Sequence, residues 1–271
     1  MPSRRTRRQT RKRRKQKKQS GGNLDAFKAK LDANDKSLVH IGRGGAGIVY
    51  LDPDQPNIVF KYGLRSNTCR IWAKEQTIYQ ELAKHNIDAP LVKLLKMNQF
   101  KTYEDDTKCV LELSRVVNPT GATNYTIQVQ FGDPKANIKN KSRGHVMGTN
   151  LLLSNGILSQ EQLPEYAKQM GQVLARLHYV AKNDGYDLEV FAGKEGDTII
   201  LYIGDFDLSD MITEYTPKII YDRLVWSIDA VPYFPTKEQP ELYEVFKTAY
   251  IETAEAAGYK EVAEEVMNKC C

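Results

Sequence analysis

A chain of 271 residues that is 41% hydrophobic and 27% charged can bury a core as one domain or two joined lobes, which excludes a wholly disordered or fibrous protein. The formal charge of +5 is unevenly placed: residues 1–22 hold eleven Lys or Arg and no acid, so the rest of the chain is net acidic. No stretch approaches the roughly 18 uninterrupted apolar residues of a membrane helix, so a soluble intracellular protein of nucleus or cytoplasm is expected.

Residues 1–22 repel themselves and offer nothing apolar beyond Met1, which predicts a disordered basic tail. Such a tail is suited to bind nucleic acid or another anionic surface, or to serve as a nuclear address. It lacks the apolar centre of a signal peptide. After it, "NLDAFKAKLDANDK" predicts a short helix and a turn, and "SLVHIG", "GIVYLD" and "NIVFKYG" predict strands. Gly42, Gly44, Gly45 and Gly47 fall between the first two strands. A dinucleotide fold needs a helix after such glycines, and a Walker loop needs Gly-Lys-Ser/Thr. Here a strand follows, so the glycines cap a hairpin: either a plain turn or a loop whose N–H groups lie over a phosphate chain.

Lys61 stands in the apolar strand "VFKYG", and Glu75 stands on the apolar face of the helix predicted over "CRIWAKEQTIYQELAKHN", with Ile71, Ile78 and Leu82. Each is costly to bury alone, and each is the obvious counter-ion of the other, unless Lys61 snorkels to solvent and Glu75 lies at the stripe's margin. "LVKLLKM" and "CVLEL" predict further strands. Between Asn118 and Leu158 only "YTIQVQFG" reads as a strand, beside a polar basic loop. From Ser159 a Ser-x-x-Gln capping box opens a helix with Leu163, Tyr166, Met170, Val173, Leu174 and Leu177 on one stripe, where His178 reads as a satisfied core histidine. A last amphipathic helix, "PELYEVFKTAYIETAEAAG", ends at Gly258. Of four cysteines, Cys69 and Cys109 stand isolated and no Cys-x-x-Cys occurs, which predicts free thiols in a reducing compartment.

In order along residues 38–210 these elements resemble the protein-kinase-like superfamily. "GRGGAGIVY" is similar to its glycine-rich loop, "VFK" to its third-strand lysine and "KEQTIYQEL" to its C-helix glutamate. "LARLHYVAKNDGYDLEVFAG" resembles its catalytic loop and "IILYIGDFDLSD" its metal-binding Asp-Phe-Gly element. The acidic third position of "DFD" is closer to aminoglycoside and choline phosphotransferases than to protein kinases. The nearest likeness is to a little-characterised, mainly fungal kinase-like family of unknown function, through "LHYVAKNDGYDLEVFAG", "DFD" and "PYFPT".

The resemblance implies an α+β, two-lobed kinase-like fold. Residues 1–22 would be the tail, 23–117 an antiparallel N-lobe with one C-helix, and 118–271 an insertion and a mainly helical C-lobe. It implies ATP and Mg²⁺ as ligands. Val49 and Val59 would line the adenine pocket, Lys61 would meet the α and β phosphates, and Asp205, with Asp207 and Glu189, would hold the metal. The catalytic loop lacks the family's His-Arg and its metal-binding Asn. Two registers stay open: Asp184 as base puts Glu189 at the Asn position, and Asp187 puts Ala192 there. Only about sixty residues follow the "DFD" element, without Ala-Pro-Glu, so a small-molecule acceptor is expected over a protein. The function classes in play are an atypical phosphotransferase, a pseudokinase used as a nucleotide-binding interaction module, and a carrier for a nucleic-acid-binding tail.

Overall fold

The computed structural model describes residues 22–140, 144–230 and 232–270. The basic tail expected over residues 1–22 thus lies outside the described residues, apart from Gly22. Helix α1 (Gly22–Asp32) is followed by strands β1 (Val39–Arg43), β2 (Ile48–Leu51) and β3 (Ile58–Gly63). Helix α2 (Ser66–Leu82) comes next, then β4 (Val92–Leu94), β5 (Met97–Tyr103) and β6 (Lys108–Ser114). The first sheet is antiparallel throughout, in the order β1-β2-β3-β6-β5.

Period-two alternation along β3 divides the chemistry of this sheet. Phe60 and Tyr62 point to one face, where Leu24 and Phe27 of α1 cover them and the Phe27 and Phe60 rings stack 4.2 Å apart. Val59 packs on the other face with Cys69 and Trp72 of α2 and with Cys109, Leu111 and Leu113 of β6. Lys61 shares that face, with its ammonium 5.2 Å from the Trp72 ring centre. Cys69 and Cys109 are joined in a disulfide with Cα atoms 5.5 Å apart, which corrects the expectation of two isolated thiols. Their separation of 40 residues leaves no spacing signal in the sequence.

The chain then builds a second sheet with β7 (Ile127–Gln130), β8 (Asn137–Asn140), β9 (Gly144–Gly148), β10 (Glu189–Glu195) and β11 (Thr198–Gly204). Its order is β4-β11-β10-β7-β9-β8, with β4 parallel to β11 and β7 parallel to β9. β4, from the sequence range assigned to the first lobe, therefore belongs to the second sheet. Helices α3 (Thr149–Ser154), α4 (Leu163–Ala175), α6 (Pro240–Ala256) and α7 (Lys260–Lys269) accompany it. So does α5, which starts at Pro217–Ile219 and continues through a π-helical stretch, Ile220–Val225, into Trp226–Asp229. The fold is α+β as expected, and its C-terminal part adds to its helices five strands that join β4 in a six-stranded mixed sheet. β8 and β9 escaped notice because they are short and lie in a polar stretch with little alternation.

The Ser159 capping box forms, with the Ser159 N–H donating to Gln162 Oε1 at 2.9 Å. It leads into α4, whose stripe of Leu163, Tyr166, Met170, Val173 and Leu174 is buried. A Cβ at Gly171 would lie 2.3 Å from the Phe246 carbonyl, so glycine there lets α4 and α6 cross closely. His178 sits in this core with Nδ1 2.8 Å from the Tyr250 hydroxyl, and burial pushes it down to about 3, a neutral structural histidine. Among the described residues no helix is long and apolar enough to cross a membrane.

Candidate functional site

The hairpin of β1 and β2 turns at residues 44–47, where the Gly44 N–H donates to the Gly47 carbonyl at 2.9 Å. Gly47 is required by packing: a Cβ would stand 2.5 Å from the Tyr62 carbonyl oxygen and 2.7 Å from the Trp72 ring. Gly44 and Gly45 have no such reason, because a Cβ on either would meet nothing within 4 Å. Their backbone borders a cavity of about 610 Å³. Gly42, Val49 and Val59 also line it, with Leu95 and Leu113 completing an apolar shelf.

Below that shelf the cavity becomes acidic. Glu75, Asp187, Glu189, Asp205 and Asp207 all reach it, together with Lys61. The expected Lys61–Glu75 ion pair is replaced by another: Lys61 Nζ lies 2.7 Å from Asp205 Oδ1. Glu75 is nonetheless buried on α2, between Trp72, which packs against Val59 of the first sheet, and Tyr79, whose ring meets Phe206 edge-on at 5.3 Å. Its Oε1 accepts the Phe206 N–H at 3.3 Å, and its Oε2 has no hydrogen-bond partner among the described residues. The helix therefore aims its carboxylate at the Asp205–Asp207 turn as well as toward the lysine.

The two registers weighed for residues 184–192 separate in space. Asp184 lies outside the cavity and its oxygens are taken. Oδ1 accepts the N–H groups of Tyr186 at 3.0 Å and Asp210 at 2.9 Å, and Oδ2 accepts Arg223 Nε at 2.6 Å. That corrects its expected role as a candidate base. Asp187 faces the cavity. Glu189 does too, a combination that neither register allowed. The reason is that β10 begins at Glu189, so alternation sends Glu189 and Phe191 to the cavity and buries Val190 and Ala192 in the core. Asp187 and Asp205 both have left-handed backbones, with φ of 63° and 62°. Non-glycine residues keep that conformation where surrounding contacts over-determine it, commonly at functional turns.

Arg43 and Arg115 also line the cavity, but Lys61 is the cation that meets its acidic wall of five carboxylates directly, and that sets the local electrostatics. Burial works against the Lys61 charge, but Asp205 and Glu75 hold its pKa above the ordinary lysine value. Burial pushes Glu189 up to about 8, with Asp205 adding repulsion against the help of Lys61 and a hydrogen bond from Gln128. Glu75 rises to about 7 through burial, partly offset by Lys61, and Asp207 rises to about 6 through burial and Asp205. Asp187 is raised for the same two reasons as Asp207. Glu189 is only partly exposed and ringed by protein, so its charge is poorly solvated. Among the described residues no three His, Cys, Asp or Glu side chains converge to hold a metal unaided. Mg²⁺ does not need that, since one or two carboxylates suffice when substrate phosphates and water complete its octahedron.

Sequence reasoning missed Trp72 beneath Lys61, Gln128 beside Glu189, and Tyr233, which lines the cavity. Tyr233 lay inside the quoted "PYFPT" without a role, and nothing in the pattern of the other two distinguished them. No protein-family model matches the chain, and no curated protein matches it.

The raised carboxyls carry a stability consequence. Between pH 6.5 and 8 the native state keeps protons on Glu75 and Glu189 that the unfolded chain has already released, so stability falls as pH rises through this window. His178 acts in the opposite sense, but only below its unfolded value of 6.5. Denaturant titrations at pH 6.5 and 8.5 are expected to show a smaller loss for Glu189→Gln than for the wild-type chain. An equal loss in both would mean that Glu189 titrates normally.

Proposed function

We propose that this cavity is the ATP and Mg²⁺ site of an atypical phosphotransferase of kinase-like fold, acting on a small-molecule hydroxyl. The observation that carries the reading is the Lys61–Asp205 pair, ringed by Glu75, Asp187, Glu189 and Asp207 under a hairpin whose Gly44 and Gly45 backbone is sterically open. The five-stranded antiparallel sheet, with α2 inserted after its third strand, supports the two-lobed kinase-like arrangement. Carboxylate-rich turns supplied from the second sheet support it too.

Each residue has a part in phosphoryl transfer, which needs positioned charge more than covalent chemistry. The apolar shelf of Val49, Val59 and Leu113 accommodates a purine. The hairpin turn beyond Gly44, whose own N–H is held by the Gly47 carbonyl, leaves steric room for its backbone N–H groups to donate to phosphate oxygens together with the Lys61 ammonium. Asp205 and Asp207, hard oxygen donors already crowded by like charge, fit a magnesium ion, with Glu189 as a further donor. That ion would neutralise the phosphates against the acidic wall. Asp187 accepts the proton of the acceptor hydroxyl, and burial together with Asp205 raises its pKa, which makes it a stronger base than an ordinary aspartate. Tyr125, Gln128, Phe191 and Tyr233 also line the cavity, which leaves room for a small acceptor beside the carboxylates.

The pseudokinase reading draws on Ala192, which is buried in the core where one alignment puts the metal-binding Asn. The deciding experiment is thermal unfolding with ATP in Mg²⁺ and in EDTA, followed by phosphate release and transfer to mixed small hydroxyl compounds. The enzyme reading expects a magnesium-dependent rise in melting temperature and turnover. A rise without turnover supports the pseudokinase, and no rise with any magnesium nucleotide rejects both.

A further inference from the structure

Outside the cavity, the side chain of Arg223 joins more of the catalytic apparatus than any reading of the motifs suggests. From α5 its Nε donates to Asp184 Oδ2 at 2.6 Å, and its second guanidinium nitrogen donates to the Leu208 carbonyl at 3.0 Å and to Asp210 Oδ2 at 3.1 Å. The guanidinium carbon stands 4.0 Å over the Tyr186 ring, which also stacks on Trp226 at 4.0 Å. Asp184, the acceptor at the centre, is buried and also takes the Tyr186 and Asp210 N–H groups. Its own N–H donates to the Asp210 carbonyl at 3.0 Å.

These contacts tie together the two turns that supply the cavity's three aspartates, Asp187, Asp205 and Asp207. One runs from Asp184 to Asp187, and the other from Asp205 to Asp210. Asp187 and Asp205 hold left-handed backbones, so each turn needs support from outside itself. A planar fork that meets three acceptors fixes both distance and direction in a way a point charge does not. The exposed Lys74–Asp210 pair at 2.5 Å extends the ties to α2, although a surface pair of this kind adds little strength.

We propose that Arg223 is a positioning residue that clamps the Asp187 turn to the Asp205–Asp207 turn and so sets the spacing of the carboxylates across the cavity. For its effect on ligands the proposal rests on the magnesium-nucleotide reading; for the clamp itself it does not. Residues that orient metal ligands from outside typically cost about 10–100-fold in metal affinity or activity when replaced.

The test uses the full chain with Arg223→Lys, which keeps the charge and loses the fork, and Asp184→Asn, which keeps the volume, in case the first variant fails to fold. Amide hydrogen exchange without ligand is expected to accelerate by about tenfold or more in residues 184–188 and 205–210, with α4 and α6 unchanged. The affinity gained by ATP on adding Mg²⁺, measured against EDTA, is expected to fall by about 10–100-fold while metal-free ATP binding holds within about twofold. Unchanged exchange in the two turns, or acceleration spread evenly over the chain, overturns the clamp. Localised acceleration with an unchanged magnesium gain reduces Arg223 to a purely structural role. If the wild-type chain binds no magnesium nucleotide, the proposed function fails and the exchange data alone decide the clamp.

Discussion

Asp187→Asn is expected to lower phosphate transfer by about 10²–10⁴-fold, the usual contribution of a positioned base, while nucleotide affinity stays within about twofold. The variant removes a carboxylate that burial and Asp205 already disfavour in its charged form, so the folded protein should lose no stability. Asp184→Ala should behave in the opposite way. It strips the partner from Arg223 and the acceptor from two backbone N–H groups in a buried place. Breaking such a pair from one side costs about 3 kcal/mol. Its loss of activity should then follow the lost folded fraction and the loosened turns. Single-turnover transfer and denaturant unfolding on the two variants separate these outcomes. Full transfer by Asp187→Asn would place the base elsewhere.

Lys61→Ala and Asp205→Asn are the second pair with large expected effects. At a hundredfold excess over Kd, linkage gives a bound ligand about 2.7 kcal/mol of stabilisation, and both variants should lose most of it with magnesium ATP. Without ligand they should diverge. Lys61→Ala leaves Asp205, Glu75, Glu189 and Asp207 without the cation that offsets their repulsion, so the apo protein should be destabilised by about 2 kcal/mol, less than for a fully buried pair because Asp205 is partly exposed. Asp205→Asn breaks the same ion pair but relieves the repulsion that raises Glu189 and Asp207. Its apo stability should therefore match or exceed that of the wild type, the pattern of a site where function opposes stability. A thermal shift retained by both variants would remove the phosphate and metal roles from these residues.

Much of this protein is legible in the order of its residues. The alternation in "NIVFKYG", the glycines before "IVYLD", the capping box at Ser159 and the apolar stripe of α4 are local signals, and each becomes the element it announces. The chemistry of Lys61, Glu75 and Asp205 was also visible, because charged residues in apolar runs must be brought to partners. Which partner was not. Lys61 meets Asp205 across 144 residues of chain, and Glu75 instead takes the Phe206 N–H. Such pairings depend on where two sheets and a helix come to rest, and no local period encodes that. The same reason governs the choice between Asp184 and Asp187, which lie on one turn and differ only in which way the start of β10 faces them. It governs the Cys69–Cys109 bond, the passage of β4 into the second sheet and the reach of Arg223 to three acceptors. Periodicity and turn chemistry determine the elements and their reactive residues. Long-range packing, which trades buried charge against the nearest available counter-charge, decides which of those residues share one cavity.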